Sequence, residues 1–272
     1  MTESGDAHLD DNEPYAVDES TATAPLLRGK VHLARNRFDV YDALMADLVM
    51  HASQCVRQFG DFHLALSGGS TPMPFYEQLM TDPRARGFPW ARTHLWMVDE
   101  RCVPFDHEKS NWRQIEEILV EASDIPKEQV HPMLAYLPDA DVLYEKELRD
   151  VLGWREKGHD RLDFVLLGMG DEGHTASLFP HSEAQDADDR LIVFNRGATV
   201  VPPDRLTMTY SLLNASRFIA PLVLGAGKAS MLARIAKNVD DFHEIPIMGI
   251  KPLAGELKWF IDYASAGGAN AD

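Results

Sequence analysis

FHLALSGGSTP, residues 62–72, decides how the chain is read. A short apolar run that breaks at Gly68 and Gly69 and passes through Ser70 and Thr71 to Pro72 is the pattern of a buried strand turning tightly into a helix. The two glycines permit the turn and leave backbone N–H groups unshielded. Thr71 is expected to cap the helix, with Pro72 in its first position. A helix N-terminus with free N–H groups attracts an anion, so Gly69, Ser70 and Thr71 are candidate anion-binding residues. In isolation, the same stretch also reads as an ordinary strand-to-helix turn.

Outward from this unit the alternation repeats. Upstream, Phe38, Tyr41, Leu44, Leu48, Ala52, Cys55, Val56 and Phe59 recur at helical spacing and predict an amphipathic helix over 38–59. Downstream, THLWMV (93–98), DFVLLGMG (163–170), IVFN (192–195), RLTMT (205–209) and APLVLG (220–225) read as strands. Helical stretches are expected at 72–80, 110–120, 139–150 and 227–238. Short apolar strands alternating with helices predict an α/β fold: a Rossmann-like, open, mainly parallel sheet with helices on both faces. No repeat or low-complexity linker divides the chain, so residues 29–272 are expected to form a single domain. Residues 1–28 are expected to be a disordered acidic tail, with apolar patterning beginning at Val31.

The 272-residue chain carries a net charge of −17 with 45% hydrophobic residues. Seven acids stand in the first twenty residues (Glu3, Asp6, Asp10, Asp11, Glu13, Asp18, Glu19) with no Lys or Arg, the reverse of a basic signal-peptide start. The remaining excess of acid argues against a nucleic-acid partner. No run of about 18 apolar residues exists to cross a membrane. Two cysteines, Cys55 and Cys102, are too few for a disulfide framework and fit a reducing compartment. A cytoplasmic, monomeric protein is expected.

Ligands in open parallel sheets bind beyond the carboxyl ends of the strands, so the residues after each strand carry the candidate chemistry. VDERCVPFDHEKSN (98–111) puts Asp99, Glu100 and Arg101 at a strand end and a helix cap at Ser110. Arg101 there is either an edge salt bridge or a bidentate grip on a phosphate. His107 and Glu108 lack the spacing of a metal site and read as a solvated loop.

LLGMGDEGHTASLFP (166–180) contains Gly168, Gly170 and Gly173 in GxGxxG spacing. A dinucleotide site would place that motif in the first strand–helix unit, with an acid ending the next strand. Here it lies past the midpoint, Pro180 interrupts any helix, and the acids Asp188 and Asp189 precede the next strand. The nicotinamide reading fails. What remains is His174, a candidate general base on a glycine turn, with Glu172 two residues before it to orient it. VPPDRLTMT (201–209) adds Arg205, which gains meaning if it converges with Arg101 on one anion.

In order and spacing, SGGSTP, VDERCVPFDHEKSN, LLGMGDEGHTASLFP, PPDRLTMTYSLLNASR and LGAGKASML resemble the 6-phosphogluconolactonase family over about residues 31–263. TASLFP after the GH pair is the lactonase version of a turn shared with glucosamine-6-phosphate deaminases. The resemblance implies hydrolysis of a small phosphosugar lactone without metal or cofactor. It makes His174 the base that activates water and Glu172 its carboxylate partner, where the family carries Asp. It places Ser70, Thr71, Arg101 and Arg205 along the site, the arginines on the 6-phosphate. It also exposes a departure: Val200 and Val201 occupy the position where the family carries a Lys before the prolines, leaving Arg196 or Lys228 to compensate. The alternatives are a sugar-phosphate isomerase or deaminase of the same fold, or a non-catalytic sugar-phosphate-binding module.

Overall fold

Burial of every residue of Phe62–Leu66 puts that strand in the middle of a sheet covered on both sides. In the computed structural model, which describes residues 22–239 and 241–268, it is the second strand of seven. The sheet comprises β1 (Lys30–Ala34), β2 (Phe62–Leu66), β3 (Thr93–Met97), β5 (Val130–His131), β6 (Phe164–Leu167), β9 (Phe218–Val223) and β10 (Glu256–Asp262). Its order is β1-β10-β9-β6-β2-β3-β5, and every neighbouring pair is parallel. Strand β4 (Asp99–Arg101) lies outside it.

The order fixes where a ligand can sit. From β2 the chain steps outward to β3 and β5, through the helices α2 (Met73–Thr81) and α3 (Asn111–Ile115). After β5 it returns through α4 (Ala140–Leu152) to β6 and then steps the other way, to β9 and, through α6 (Ala229–Lys237), to β10. Right-handed crossovers in opposite directions lay helices on opposite faces of the sheet. The reversal falls between the neighbours β2 and β6, registered Leu66 to Leu166. That is the switch point at which an open α/β sheet leaves a crevice beyond its carboxyl ends.

Local chemistry accounts for the long first helix, α1 (Arg37–Phe59). The Asn36 side chain accepts from the N–H groups of Phe38 and Asp39, and Gly60 ends the helix at φ 91° with its N–H on the Val56 carbonyl. Val40, Tyr41, Leu44, Leu48, Ala52 and Cys55 form the buried face. Phe38, expected on that face, is 67% exposed because it lies in the first turn, before the helix meets the sheet.

The strands expected at 192–195 and 205–209 form a separate antiparallel sheet. It contains β7 (Ile192–Arg196) and β8 (Asp204–Met208), ordered β4-β8-β7, with the helix α5 (Tyr210–Ala215) following. Its charged strand Asp99–Arg101 gives no apolar signal in the sequence. The chain passes from the main sheet into it at Val98, whose N–H donates to the Leu66 carbonyl and whose carbonyl accepts from Met208. This small sheet overhangs the crevice from the β3 side and carries both candidate arginines.

Of the acidic stretch 1–28, residues 1–21 lie outside the described residues. Leu27 packs into the core, and the Arg28 carbonyl accepts from Trp259 Nε1 at 2.8 Å. No helix among the described residues is long and apolar enough to cross a membrane.

Candidate active site

Beyond β2 and β6 lies a cavity of about 220 Å³. Ser67 to Pro72, Arg101, His174 and Arg205 all line it, so the candidate anion-binding turn, both arginines and the histidine converge. Glu172 stands behind His174, outside the lining.

The turn after β2 works through its backbone. Gly69 takes φ 97°, which strains any side chain, and a Cβ at Gly68 would lie 2.0 Å from Asn111 Oδ1, with no room for it. The helix α2 begins at Met73, with Pro72 at its N-cap and no side chain capping it. Thr71 is therefore not the cap the sequence predicts. Its position one residue too early turns its carbonyl toward the Tyr41 hydroxyl, 3.2 Å away. An uncapped helix N-terminus faces the cavity as an anion-attracting surface.

Arg101 and Arg205 are cross-strand partners on β4 and β8. Arg101 Nη1 donates to the Lys109 carbonyl at 2.6 Å, fixing its guanidinium to the loop. That loop is organised by Glu100, a buried carboxylate that accepts from the Arg101, Asn111 and Trp112 N–H groups and the Ser110 hydroxyl. Burial pushes the Glu100 pKa up, against the pull of these N–H donors. Ser110 caps α3 as expected from the sequence, accepting from the Arg113 N–H. Arg205 is 5% exposed and its Nη1 has no hydrogen-bond partner. Burial, reinforced by the charge of Arg101, pulls its pKa down from the ordinary arginine value.

His174 follows Gly173, whose φ of 81° closes the turn. The ring packs so closely over Gly170 that a Cβ there would lie 2.1 Å from its Cε1. Phe179 covers another side, ring centroids 5.0 Å apart. Glu172 Oε1 stands 3.4 Å from His174 Nδ1, an ion-pair distance without hydrogen-bond alignment, and Glu172 Oε2 accepts from the Thr199 hydroxyl at 2.8 Å. An acceptor facing Nδ1 assigns the proton of neutral His174 to that nitrogen and leaves Nε2 as the basic lone pair. Burial lowers the His174 pKa below its ordinary 6.5, and Lys228 adds to the lowering; Glu172 and Asp99 oppose it.

Several contributors lie in the quoted motifs but are assigned no role by the sequence. Asp99 lines the cavity and accepts from the Ser177 hydroxyl at 2.6 Å. Ser67, Asn111, Ser177 and Phe179 complete the wall. Among the described residues, seven buried side-chain nitrogen or oxygen atoms lack a hydrogen-bond partner, and four belong to this wall: Ser67 Oγ, Asn111 Oδ1, His174 Nδ1 and Arg205 Nη1. Buried polar atoms are normally paired; His174 Nδ1 faces Glu172, and the concentration of the other three in one cavity marks a wall suited to a polar ligand. Of the two cations that could stand in for the lysine absent at Val200, Lys228 lines the cavity, whereas Arg196 is exposed and pairs with Asp204 at 3.1 Å. Val201 is 86% exposed.

One group of possible metal ligands exists among the described residues, Asp61, His63 and His94, at the opposite ends of the strands. Trp96 Nε1 donates to His63 Nδ1 at 3.1 Å, so neutral His63 keeps its proton on Nε2, the atom facing Asp61. A metal would need that nitrogen bare, and Asp61 is already engaged by Arg155. The group does not fit a metal.

Residues 35–259 match the family model described as glucosamine-6-phosphate isomerases/6-phosphogluconolactonase. The chain is 40% identical over 215 residues to a 6-phosphogluconolactonase of Nostoc sp., covering 77% of this chain and 85% of that one. It is 36% identical over 233 residues to the human GDH/6PGL endoplasmic bifunctional protein, covering 83% of this chain but spanning only 28% of that protein. A crystal structure of 6-phosphogluconolactonase from Thermotoga maritima superposes with a TM-score of 0.73 at 28% identity, covering 86% of this chain and 99% of the other.

Proposed function

The chain belongs to the glucosamine-6-phosphate isomerase/6-phosphogluconolactonase family, and on that premise we propose that it is a carboxylic ester hydrolase that converts 6-phosphogluconolactone to 6-phosphogluconate. The observation that carries the reading is the cluster of unpartnered polar atoms around His174 and Arg205 in one cavity. The cavity is lined by a histidine with a basic lone pair and by two arginines without an ion-pair carboxylate among the described residues, which suits a substrate carrying both an ester and a phosphate dianion.

The reaction follows from those positions. The 6-phosphate is held by the forked donors of Arg101 and Arg205, by Lys228, and by the N–H groups of the turn through Gly69, Ser70 and Thr71. That anchor presents the lactone carbonyl to His174. Nε2 takes a proton from water as the water oxygen bonds to C1, and the carbonyl electrons move onto oxygen. Glu172 and Asp99 favour the imidazolium thus formed. The tetrahedral intermediate collapses by breaking the bond from C1 to the ring oxygen, which receives the proton from His174 and becomes a hydroxyl. The new carboxylic acid gives its proton to solvent. General-base help of about 10²–10⁴-fold, together with positioning, is sufficient for an ester of this reactivity. Each step uses only this chain's side chains and water.

The test is a lactone-hydrolysis assay corrected for spontaneous ring opening, run beside a glucosamine-6-phosphate deamination assay. Accelerated lactone opening that is lost in His174→Ala supports the proposal. Turnover of the amino sugar phosphate alone overturns it in favour of the isomerase branch, and tight binding of 6-phosphogluconate without turnover would make the protein a binding module.

A further inference from the structure

We propose that Asp171 sets the phosphate affinity of this pocket, by competing with the substrate for the ammonium of Lys228. The inference rests on the lactonase reading, since it takes Lys228 to be one of the phosphate-binding cations.

Lys228 immediately precedes α6 and lines the cavity, its side chain only 18% exposed. Its Nζ donates to Asp171 Oδ1 at 2.5 Å, the one carboxylate within ion-pair distance of it among the described residues. Asp171 belongs to the turn that presents His174, yet its side chain is 94% exposed. The pair is thus asymmetric: a sheltered cation facing the ligand space, held by a carboxylate standing in water. The Lys228 ammonium draws the Asp171 pKa down, in keeping with a formed contact.

That asymmetry gives the contact its function. The carboxylate half of the pair stands in water, so it can leave at little cost once the ammonium has another partner. A phosphate dianion entering beside Lys228 offers the ammonium a stronger, more sheltered partner, and Asp171 can turn away without losing its hydration. While it stays near, its charge repels the incoming phosphate. Asp171 therefore keeps Lys228 neutralised in the empty pocket and weakens product as well as substrate binding, which favours release.

The same contact reaches the base. The charged groups acting on His174 are Glu172 and Asp171 on its own turn, Asp99 from β4 and Lys228 from the start of α6. With Asp171 removed, the charge of Lys228 acts on His174 uncompensated and lowers its proton affinity further.

Asp171→Asn is expected to bind 6-phosphogluconate about two- to fivefold more tightly by calorimetric titration, with gluconate affinity unchanged. The acid limb of its kcat/KM profile should move to lower pH, a shift that a merely structural role would not produce. Asp171→Glu should restore both values. Unchanged or weaker binding of 6-phosphogluconate by Asp171→Asn overturns the proposal. Lys228→Met separates the two levels: if it weakens 6-phosphogluconate binding while Asp171→Asn does not tighten it, the competition is wrong and the phosphate site stands. If Lys228→Met leaves binding unchanged, both the competition and the assignment of Lys228 to the phosphate fail.

Discussion

Arg101 and Arg205 stand directly opposite each other across the β4–β8 pair. Like charges in that position destabilise a sheet, and Arg205 is nearly sealed from water with an unpartnered Nη1. The arrangement is costly in the empty protein, and the proposed phosphate would relieve it by joining both. Arg205→Ala should therefore weaken 6-phosphogluconate binding by about 10- to 150-fold, the worth of one charge-assisted hydrogen bond. Arg205→Met, which fills the space without the charge, should melt no lower than wild type. Calorimetric titration and thermal melting check the two halves, and wild-type affinity in the alanine variant would place the phosphate elsewhere.

His174→Ala should lower kcat by about 10²–10⁴-fold while changing 6-phosphogluconate affinity little. The pH dependence has a definite sign. Burial holds the His174 pKa below 6.5, and the proposed general base must be unprotonated to act. Activity should therefore be flat above that lowered pKa and fall as pH drops through it. An acid limb of kcat/KM centred above pH 6.5 would contradict the burial argument.

Gly170→Ala tests the packing behind the base. Its Cβ would meet the His174 ring at 2.1 Å, and a displacement of about 1 Å can cost roughly 10²-fold in rate. Gly60→Ala is the control: φ is 91° but nothing lies within 4 Å. It should cost about 1–2 kcal/mol of stability for the left-handed backbone and leave turnover untouched. Equal turnover in the two variants would mean that ring position is not critical.

The boundary of the folded unit can be tested by truncation. Deleting residues 1–21 serves as the reference truncation, since it leaves Leu27 and Arg28 in place. Deleting residues 1–28 also removes Leu27 from the core and the Arg28 carbonyl from Trp259. A buried leucine contributes about 1.5–3 kcal/mol and the hydrogen bond about 1 kcal/mol, so the longer deletion should lower the melting temperature clearly.

The main sheet was legible because its central strands, such as FHLAL and FVLL, are mostly apolar runs buried on both faces. Its flanking strands KVHLA and ELKWFID were not, since Lys30, Glu256 and Lys258 interrupt them with charges that pair at the rim: Lys30 with Glu256, and Lys258 with Asp47. Pairing of β4 with β8 was hidden for a different reason. Asp99, Glu100 and Arg101 form a strand by register with β8 and by the capping work of Glu100, neither of which has a periodic signature. Gly-rich turns marked in sequence the stretches that place His174 and the candidate anion-binding turn in one cavity, because backbone constraint shows in sequence. Ser67, Asn111 and Ser177 join the site only through the fold.

At the opposite end of the strands, acid sensitivity is built into a stack of imidazoles. His94 lies parallel to His63 at 4.6 Å, and its Nδ1 stands 3.0 Å from His131 Nε2. His131 Nδ1 faces Glu147 Oε1 at 2.6 Å and holds its proton there, so His94 Nδ1 is the donor between the two rings. Burial first, then the neighbouring His63 and His131, lowers the His94 pKa from 6.5 to about 4; Asp61 opposes the shift and Arg155 adds to it. The unfolded chain therefore binds more protons than the folded one between about pH 6.5 and 4, and stability must fall as pH falls through that window. Above pH 6.5 both states are neutral at this residue and the effect vanishes. The loss attributable to His94 should be about 1–3 kcal/mol by pH 4. Urea unfolding of wild type and His94→Gln at neutral pH and near pH 4.5 measures it. The variant should start less stable, having lost the stack, yet lose less on acidification. An acid loss as large in the variant as in wild type would shift the sensitivity to the carboxylates instead.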